Sequence, residues 1–405
     1  MSASPYLSAE EAAALLGVSR ATLYAYVSRG LLSSQTLPGP GRQRRYPREE
    51  VERLLAQRSA RKDPASATLS ALHWGEPTLE SAITLFEDGQ LYYRGHDATE
   101  LALSAHLEQV AALLWTGRLE AHTALFGTAP QLPPPAAATL EACAQLPPLE
   151  RLGAVLLAAG PLDPRAYDLR PEAVAASAAR LLGLLFRAAG ADPAAGEPLA
   201  QALARAWAPA DPALAGVLEV ALILCADHEL NVSSFSARTV ASSAAPLYAA
   251  LTAGLCALQG HRHGGQTERT VDLLHEAAAL GGREAVAARL RRGDPLPGFG
   301  HRLYPQGDPR ARTLLARLNS AYGHALQLPL EVAEAALEAT LERPNIDFAL
   351  AALQHAAGLG SGLGLTVFAL GRTLGWAAHA LEAYAENRLI RPRARYVGVA
   401  PRQRR

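Results

Sequence analysis

From Ala98 almost to its end, the chain repeats apolar residues at helical spacing, interrupted by Pro and Gly. Two of these stretches leave little choice of environment. Pro212–Ala226 carries one charge, Glu219, and Leu365–Trp376 carries one, Arg372. Neither has a polar face to turn to water, so both belong inside a bundle of other helices. A chain of 405 residues, 49% apolar and 19% charged, is long enough for such a core and for two or three domains. The pattern predicts an all-α architecture. Loops are expected at Gln131–Ala137 and Ala191–Pro198, and a small hairpin over Ile83–Tyr93, turning at Asp88-Gly89, precedes the helices.

Residues 1–62 read as a separate unit, 63–74 as a linker and 75–405 as the body. Ser8 and Glu11 have capping-box spacing and open a helix that Gly17 stops; Ser19 caps a second helix running to about Arg29. Thr36–Arg45, with Pro38, Gly39, Pro40 and Gly41, reads as a hairpin wing, and Pro47 is placed at the first position of a third helix. The segment resembles the MerR and excisionase-like winged helix-turn-helix modules. That resemblance implies DNA contacts by Arg20, Tyr24, Arg42, Arg44 and Arg45. The alternative is a recruited docking module that has lost its DNA. Charge favours DNA: residues 1–62 hold ten Lys or Arg against five acids, although the whole chain balances at 38 of each.

Cys143, Cys225 and Cys256 are few and far apart, which fits a reducing compartment and neither a disulfide framework nor a zinc site. No basic stretch followed by an apolar one opens the chain, and the longest apolar run, Val217–Ala226, is broken by Glu219. A soluble, cytoplasmic protein is expected.

The polar residues that call for a reason cluster late. Gly260–Glu268 and Gly298–Tyr304 hold His261, His263 and His301 between glycines, with arginines close behind, and Asp308-Pro309-Arg310 follows. Histidines in such a setting are expensive to bury unless something polar meets them, and the glycines let backbone approach a ligand. The region reads as the floor of a site for an anionic small molecule; two loops with incidental histidines are the bland alternative. Asp227-His228-Glu229 ends the first buried helix, as a structural network or a site. Asp347 stands between apolar neighbours, where desolvation would raise its pKa and suit it as a base, or where it would cap the helix that follows. Arg372 has no acid within a turn, so a ligand carboxylate is a candidate partner. Arg388, Arg391, Arg393 and Arg395 form a solvated tail or reach a neighbouring subunit.

Ala226–Phe235, His263-Gly264-Gly265, Gly298–Tyr304 with Asp308-Pro309-Arg310, and Pro344–Phe348 occur in the order found in citrate synthases. Tyr93-Arg94-Gly95 before them, and Gly371–Trp376, His379 and Arg391-Pro392-Arg393 after them, extend a resemblance that covers roughly residues 75–398. It implies large and small helical domains, the small one at about 230–335, behind the winged module, as in a bacterial branch of that family. It also implies condensation of acetyl-CoA with oxaloacetate and hydrolysis to citrate and CoA, with 2-methylcitrate from propionyl-CoA as a variant. Asp347 would take the methyl proton, His263 would stabilise the enolate, and His301 would polarise the ketone. His228, Arg310 and Arg372 would hold oxaloacetate, with Arg391 crossing a homodimer. Gly298, Phe299, Gly300 and Arg302 would meet the CoA nucleotide. No metal and no permanently bound cofactor is implied; acetyl-CoA is a substrate.

The sequence departs from the family at Gln266-Thr267, where Ala-Asn is usual, at Ala349-Leu350-Ala351 for Tyr-Ser-Gly, and at Pro305, where lysine is common. The alternative reading is a metabolite-sensing transcriptional regulator that uses the enzyme-like domain to bind its ligand.

Overall fold

Two units, 1–80 and 81–405, make up the chain. The computed structural model describes residues 6–28, 31–36, 44–48, 50–51, 54, 79–128, 133–394 and 396–399. In the first unit, local chemistry sets the elements. Ser8 Oγ accepts the Glu11 N–H at 3.2 Å while the Glu11 carboxylate accepts the Ser8 N–H at 2.8 Å, completing the capping box of helix Ala9–Leu16. Gly17 ends that helix in the left-handed region at φ +61. Ser19 Oγ accepts the Thr22 N–H at 3.2 Å to open helix Arg20–Ser28. Strands β1 (Tyr6–Ser8), β2 (Gln35–Thr36) and β3 (Arg44–Pro47) form an antiparallel sheet in the order β1-β3-β2. Ala12, Leu16, Leu23, Tyr46 and Val51 make its core.

Pro47 does not open the third helix. It closes β3 opposite Tyr6, and helical residues begin at Arg48. The pairing with β1, which local patterning does not reveal, carries the strand one step further, and a strand end tolerates a residue without an N–H. Arg42, the tip of the wing and the linker at 63–74 lie outside the described residues.

The second unit opens with an antiparallel sheet of β4 (Thr84–Glu87), β5 (Gln90–Tyr93) and β6 (His96–Asp97). Its hairpin turns at Asp88 and Gly89, with φ of +50 and +75, the left-handed pair that matches strand twist. Asp97 then caps helix Ala98–Ser104 by accepting the Thr99 and Glu100 N–H groups at 2.7 and 3.1 Å. The rest is helical, as the periodicity predicts. Ala191–Pro198 is irregular, but the loop placed at Gln131–Ala137 is corrected: helix Pro134–Ala142 begins inside it, with proline in the first turn, where its missing N–H costs nothing.

Helices Leu214–Leu224 and Leu363–Glu386 run through the core. The lone acid of the first, Glu219, accepts the Leu107 N–H at 2.5 Å and faces His106 Nδ1 at 3.3 Å; burial pushes its carboxyl up. The two helices come into backbone contact because glycines face the junction. A Cβ on Gly371 would run into the Leu222 carbonyl, and one on Gly375 into the Asp227 carboxylate. Helix Val232–Ala241 is tied to the far end of Leu363–Glu386 by buried Arg238, which pairs with Glu382 at 2.8 Å and with Glu386. Helix Gly265–Leu280 packs along Ile346–Ala356, which brings the two ends that matter for chemistry together.

Candidate active site

Where helix Leu214–Leu224 ends, Asp227 is fully buried and His379 Nε2 lies 3.2 Å from it. Asp227 also accepts the Thr84 hydroxyl at 2.5 Å and the Glu229 N–H at 3.0 Å. Burial works to raise this carboxyl, but His379, Arg372 and Thr84 together hold it below the usual range. Glu229 takes a left-handed φ of +57, turning the chain so that neighbouring His228 enters the interior.

His228 Nε2 meets the Tyr304 hydroxyl at 3.1 Å. Its ring packs edge-on against His301 at 5.0 Å and Phe86 at 4.7 Å, and His301 lies 5.0 Å from Tyr304. The Leu303 N–H donates to His301 Nδ1 at 3.2 Å, so the neutral ring carries its proton on Nε2. Burial, then Arg310, lowers both histidines: His301 falls to about 4 and His228 well below its usual value. Arg310 is buried in a two-point pair with Asp308, Nε to Oδ1 at 3.0 Å and Nη2 to Oδ2 at 2.8 Å. Burial opposes the Arg310 charge, but Asp308 outweighs it. Asp308 also accepts the Arg310 and Ile346 N–H groups, at 3.0 and 3.1 Å, and so joins two helix starts.

On the other side, His263 Nε2 lies 2.7 Å from Ser233 Oγ, which in turn is 2.8 Å from Asn231 Oδ1. Burial, reinforced by Arg372, drops the His263 pKa to about 3. The His263 ring stands edge-on to Phe368 at 5.8 Å, and the Arg372 guanidinium lies 4.8 Å from the same ring. Arg372 is 1% exposed and donates through Nε to the Cys225 carbonyl at 2.7 Å. It forms no ion pair with an acid among the described residues, and burial lowers its pKa.

Asp347 sits in the first turn of helix Ile346–Ala356, but it is not the cap. Asn345 is, accepting the Asp347 and Phe348 N–H groups at 3.0 and 3.4 Å, which leaves the Asp347 carboxylate for other work. That carboxylate accepts the Thr267 hydroxyl at 2.6 Å. It keeps an opening to solvent yet is packed round by protein, and burial raises its pKa to about 6 against the pull of Thr267 and Arg310. Ala349, Leu350 and Ala351 simply continue this helix and are buried.

Loop 298–302 pairs with residues 343–345: the Gly300 N–H donates to the Arg343 carbonyl and the Asn345 N–H to the Gly298 carbonyl, each at 2.9 Å. Phe299 packs on Phe348 at 4.9 Å. A cavity of about 470 Å³ opens along the loop, lined in part by His301, Arg302 and Tyr304.

The interior thus collects His228, His263, His301, Arg310, Asp347 and Arg372, and the loop carrying Gly298, Phe299, Gly300 and Arg302 borders it. Arg391 is exposed beyond helix Leu363–Glu386 and makes no hydrogen bond or ion pair with that cluster. In the first unit, Tyr24 is 42% exposed and Arg20 pairs with Glu10 at 3.2 Å on the surface. Arg45 lies over the Tyr6 ring at 4.2 Å, and Arg44 is exposed on β3. Sequence reasoning gave no role to Ser233, Thr267 or Tyr304, although all three stand inside the motifs it quoted. Among the described residues, no cluster of His, Cys, Asp or Glu could hold a metal ion, and no helix is long and apolar enough to cross a membrane.

The family model for the citrate synthase C-terminal domain matches residues 71–393, and a helix-turn-helix domain model matches residues 6–59. Citrate synthase 2 of Bacillus subtilis (strain 168) is 33% identical over 347 residues, covering 78% of this chain and 93% of that protein. A 2-methylcitrate synthase of Mycobacterium tuberculosis (strain H37Rv) is 31% identical, covering 77% and 86%. The crystal structure of citrate synthase from Thermotoga maritima MSB8 superimposes with a TM-score of 0.69 at 26% identity, covering 82% of this chain and 96% of that one.

Proposed function

The chain belongs to the citrate synthase family and is an enzyme of that class, and on this premise we propose how its residues condense acetyl-CoA with oxaloacetate. Asp347 removes a methyl proton from the thioester. With a pKa of about 6 it is mostly ionised near neutrality, yet it is a stronger base than an ordinary aspartate. His263 hydrogen-bonds the thioester oxygen and stabilises the enolate. This requires its proton on Nδ1, with the Ser233 hydroxyl, which donates to Asn231 Oδ1 in the structure, rotated to donate to Nε2 instead. The enolate carbon attacks the ketone of oxaloacetate, which His301 polarises through Nε2–H; the alkoxide takes that proton, and the proton held by Asp347 returns to His301 through solvent. Water then cleaves the thioester to release citrate and CoA.

Both histidines act as neutral donors, which their lowered pKa values support. His228, Arg310 and Arg372 hold the dianion. Arg310 is already matched by Asp308, whereas Arg372, though it feels the charge of Asp227, forms no ion pair among the described residues and offers its guanidinium to the substrate. The observation that carries this reading is the meeting of a raised carboxylate, two neutral imidazoles and a buried guanidinium that forms no ion pair among the described residues. The loop Gly298–Arg302 receives the nucleotide of CoA. A large domain closes against a small one at about 230–335 to keep water from the enolate, and Arg391 completes the site of a second subunit in a homodimer. The measurement is thiol release from acetyl-CoA and propionyl-CoA, with and without oxaloacetate. Release that depends on oxaloacetate and is lost in Asp347→Ala supports the reading; none with either donor refutes it. The better donor decides between citrate and 2-methylcitrate.

A second reading adds to the first. Residues 1–62 bind duplex DNA through Arg20, Tyr24, Arg42, Arg44 and Arg45, supported by the helix-turn-helix match and by the excess of basic residues there. Anisotropy of labelled duplexes should then fall steeply with salt, and binding that ignores salt would rule this out.

A further inference from the structure

Tyr304 is 3% exposed, and its ring is held among other rings and a cation. Phe86 lies 5.8 Å from it, His228 5.6 Å, His301 5.0 Å and the Arg310 guanidinium 5.5 Å. Packing accounts for the ring but not for the hydroxyl, whose one hydrogen bond among the described residues is with His228 Nε2 at 3.1 Å. Burial pushes the phenol pKa up against the pull of Arg310, and burial with Arg310 keeps the His228 ring neutral. The pair therefore holds one O–H and one N–H, and their mutual bond uses one of the two. The other proton, on the phenol or on His228 Nδ1, has no acceptor among the described residues. A buried donor left over in this way calls for a reason. The imidazole is fixed by its edge-on contacts with His301 and Phe86, whereas a hydroxyl can swing its hydrogen without moving the ring. Tyr304 and His301 also both border open space, so this corner is within reach of a ligand.

We propose that Tyr304 is a further binding residue for the dianion: its hydroxyl accepts from His228 Nε2–H and donates its own proton to a carboxylate oxygen of the keto acid. This rests on the condensation reading above, in which the phenol has no role. The negative charge of the acceptor makes such a bond about twice as strong as a neutral one. His228, donating into the phenol oxygen, polarises the O–H and strengthens it further. His228 thus serves this corner of the substrate through Tyr304.

The test is calorimetric titration of the full-length protein with oxaloacetate and, separately, with CoA, alongside thiol-release kinetics. Tyr304→Phe keeps the ring and removes only the hydroxyl. It should weaken oxaloacetate about tenfold to a hundredfold, raise the KM for oxaloacetate to match, leave CoA within twofold and hold the melting temperature. A second measurement needs no change at Tyr304. In ¹⁵N-histidine-labelled protein saturated with oxaloacetate, the ring signal that disappears in His228→Gln should show its proton on Nε2. Oxaloacetate binding within twofold of wild type in Tyr304→Phe, an equal loss for CoA, or a His228 proton on Nδ1 overturns the proposal. Because binding is read without turnover, the two readings fail separately. Oxaloacetate held through Tyr304 by a protein that releases no thiol removes only the condensation, and thiol release with unchanged oxaloacetate affinity in Tyr304→Phe removes only this inference.

Discussion

Replacing Thr267 by valine removes one hydroxyl and little volume, and that hydroxyl is the donor 2.6 Å from Asp347 Oδ1. A hydrogen bond to a charged group contributes about 1.5–3 kcal/mol, and each pKa unit corresponds to about 1.4 kcal/mol of preference for the ionised form. The bond favours the carboxylate, so its loss should raise the Asp347 pKa by about one to two units above its present value of about 6. The sign follows directly. The base works ionised, activity falls as pH drops through its pKa, and the variant should therefore lose activity at higher pH than wild type. At pH 7 the ionised fraction would fall from about nine-tenths to between about one-half and one-tenth. The plateau at high pH should fall less, because a carboxylate of higher pKa is a stronger base. The assay is kcat/KM from thiol release between about pH 5 and 9, with Thr267→Ser as the control that keeps the hydroxyl. An acid limb that stays put in Thr267→Val would refute either the base or the bond that tunes it.

His263→Ala should lower kcat by about a hundredfold to a thousandfold, the cost of losing one donor to an oxyanion, with the KM for oxaloacetate little changed; steady-state kinetics separate the two. Arg372→Met removes a buried cation that forms no ion pair among the described residues. Oxaloacetate affinity should drop at least about tenfold, while the melting temperature of the ligand-free protein should not fall. A drop of several degrees would instead mean that the bond to the Cys225 carbonyl is structural. Gly371→Ala drives a methyl into the Leu222 carbonyl and should destabilise the fold by about 1–3 kcal/mol, read from denaturant midpoints.

Features made by neighbours in sequence were legible. The Ser8–Glu11 box, the stop at Gly17, the Ser19 cap and the turn at Asp88-Gly89 need only adjacent residues and their backbone preferences. So were the helical class and the ordered histidine, arginine and aspartate motifs that carry the family resemblance. Of the readings that failed, one met a longer contact and another a nearer cap. Pro47 stayed in a strand because β1 pairs with it, and Asp347 did not cap its helix because Asn345, two residues earlier, had the better geometry.

What the sequence alone determined, then, is which residue types exist and where helices start and stop when adjacent residues cap them, as at Ser8, Gly17 and Ser19. The tertiary structure decided what those residues can do. Thr267 meets Asp347 across 80 positions, Ser233 meets His263 across 30, and Tyr304 meets His228 across 76. No local pattern encodes such pairs; they arise where packed helices bring their ends and the loops between them together, with glycines such as Gly371 and Gly375 letting the core helices approach. A histidine that titrates near 3 and an aspartate near 6 have the same side chains as any others. Their altered acidity comes from the water that packing removes and from the charges it leaves beside them.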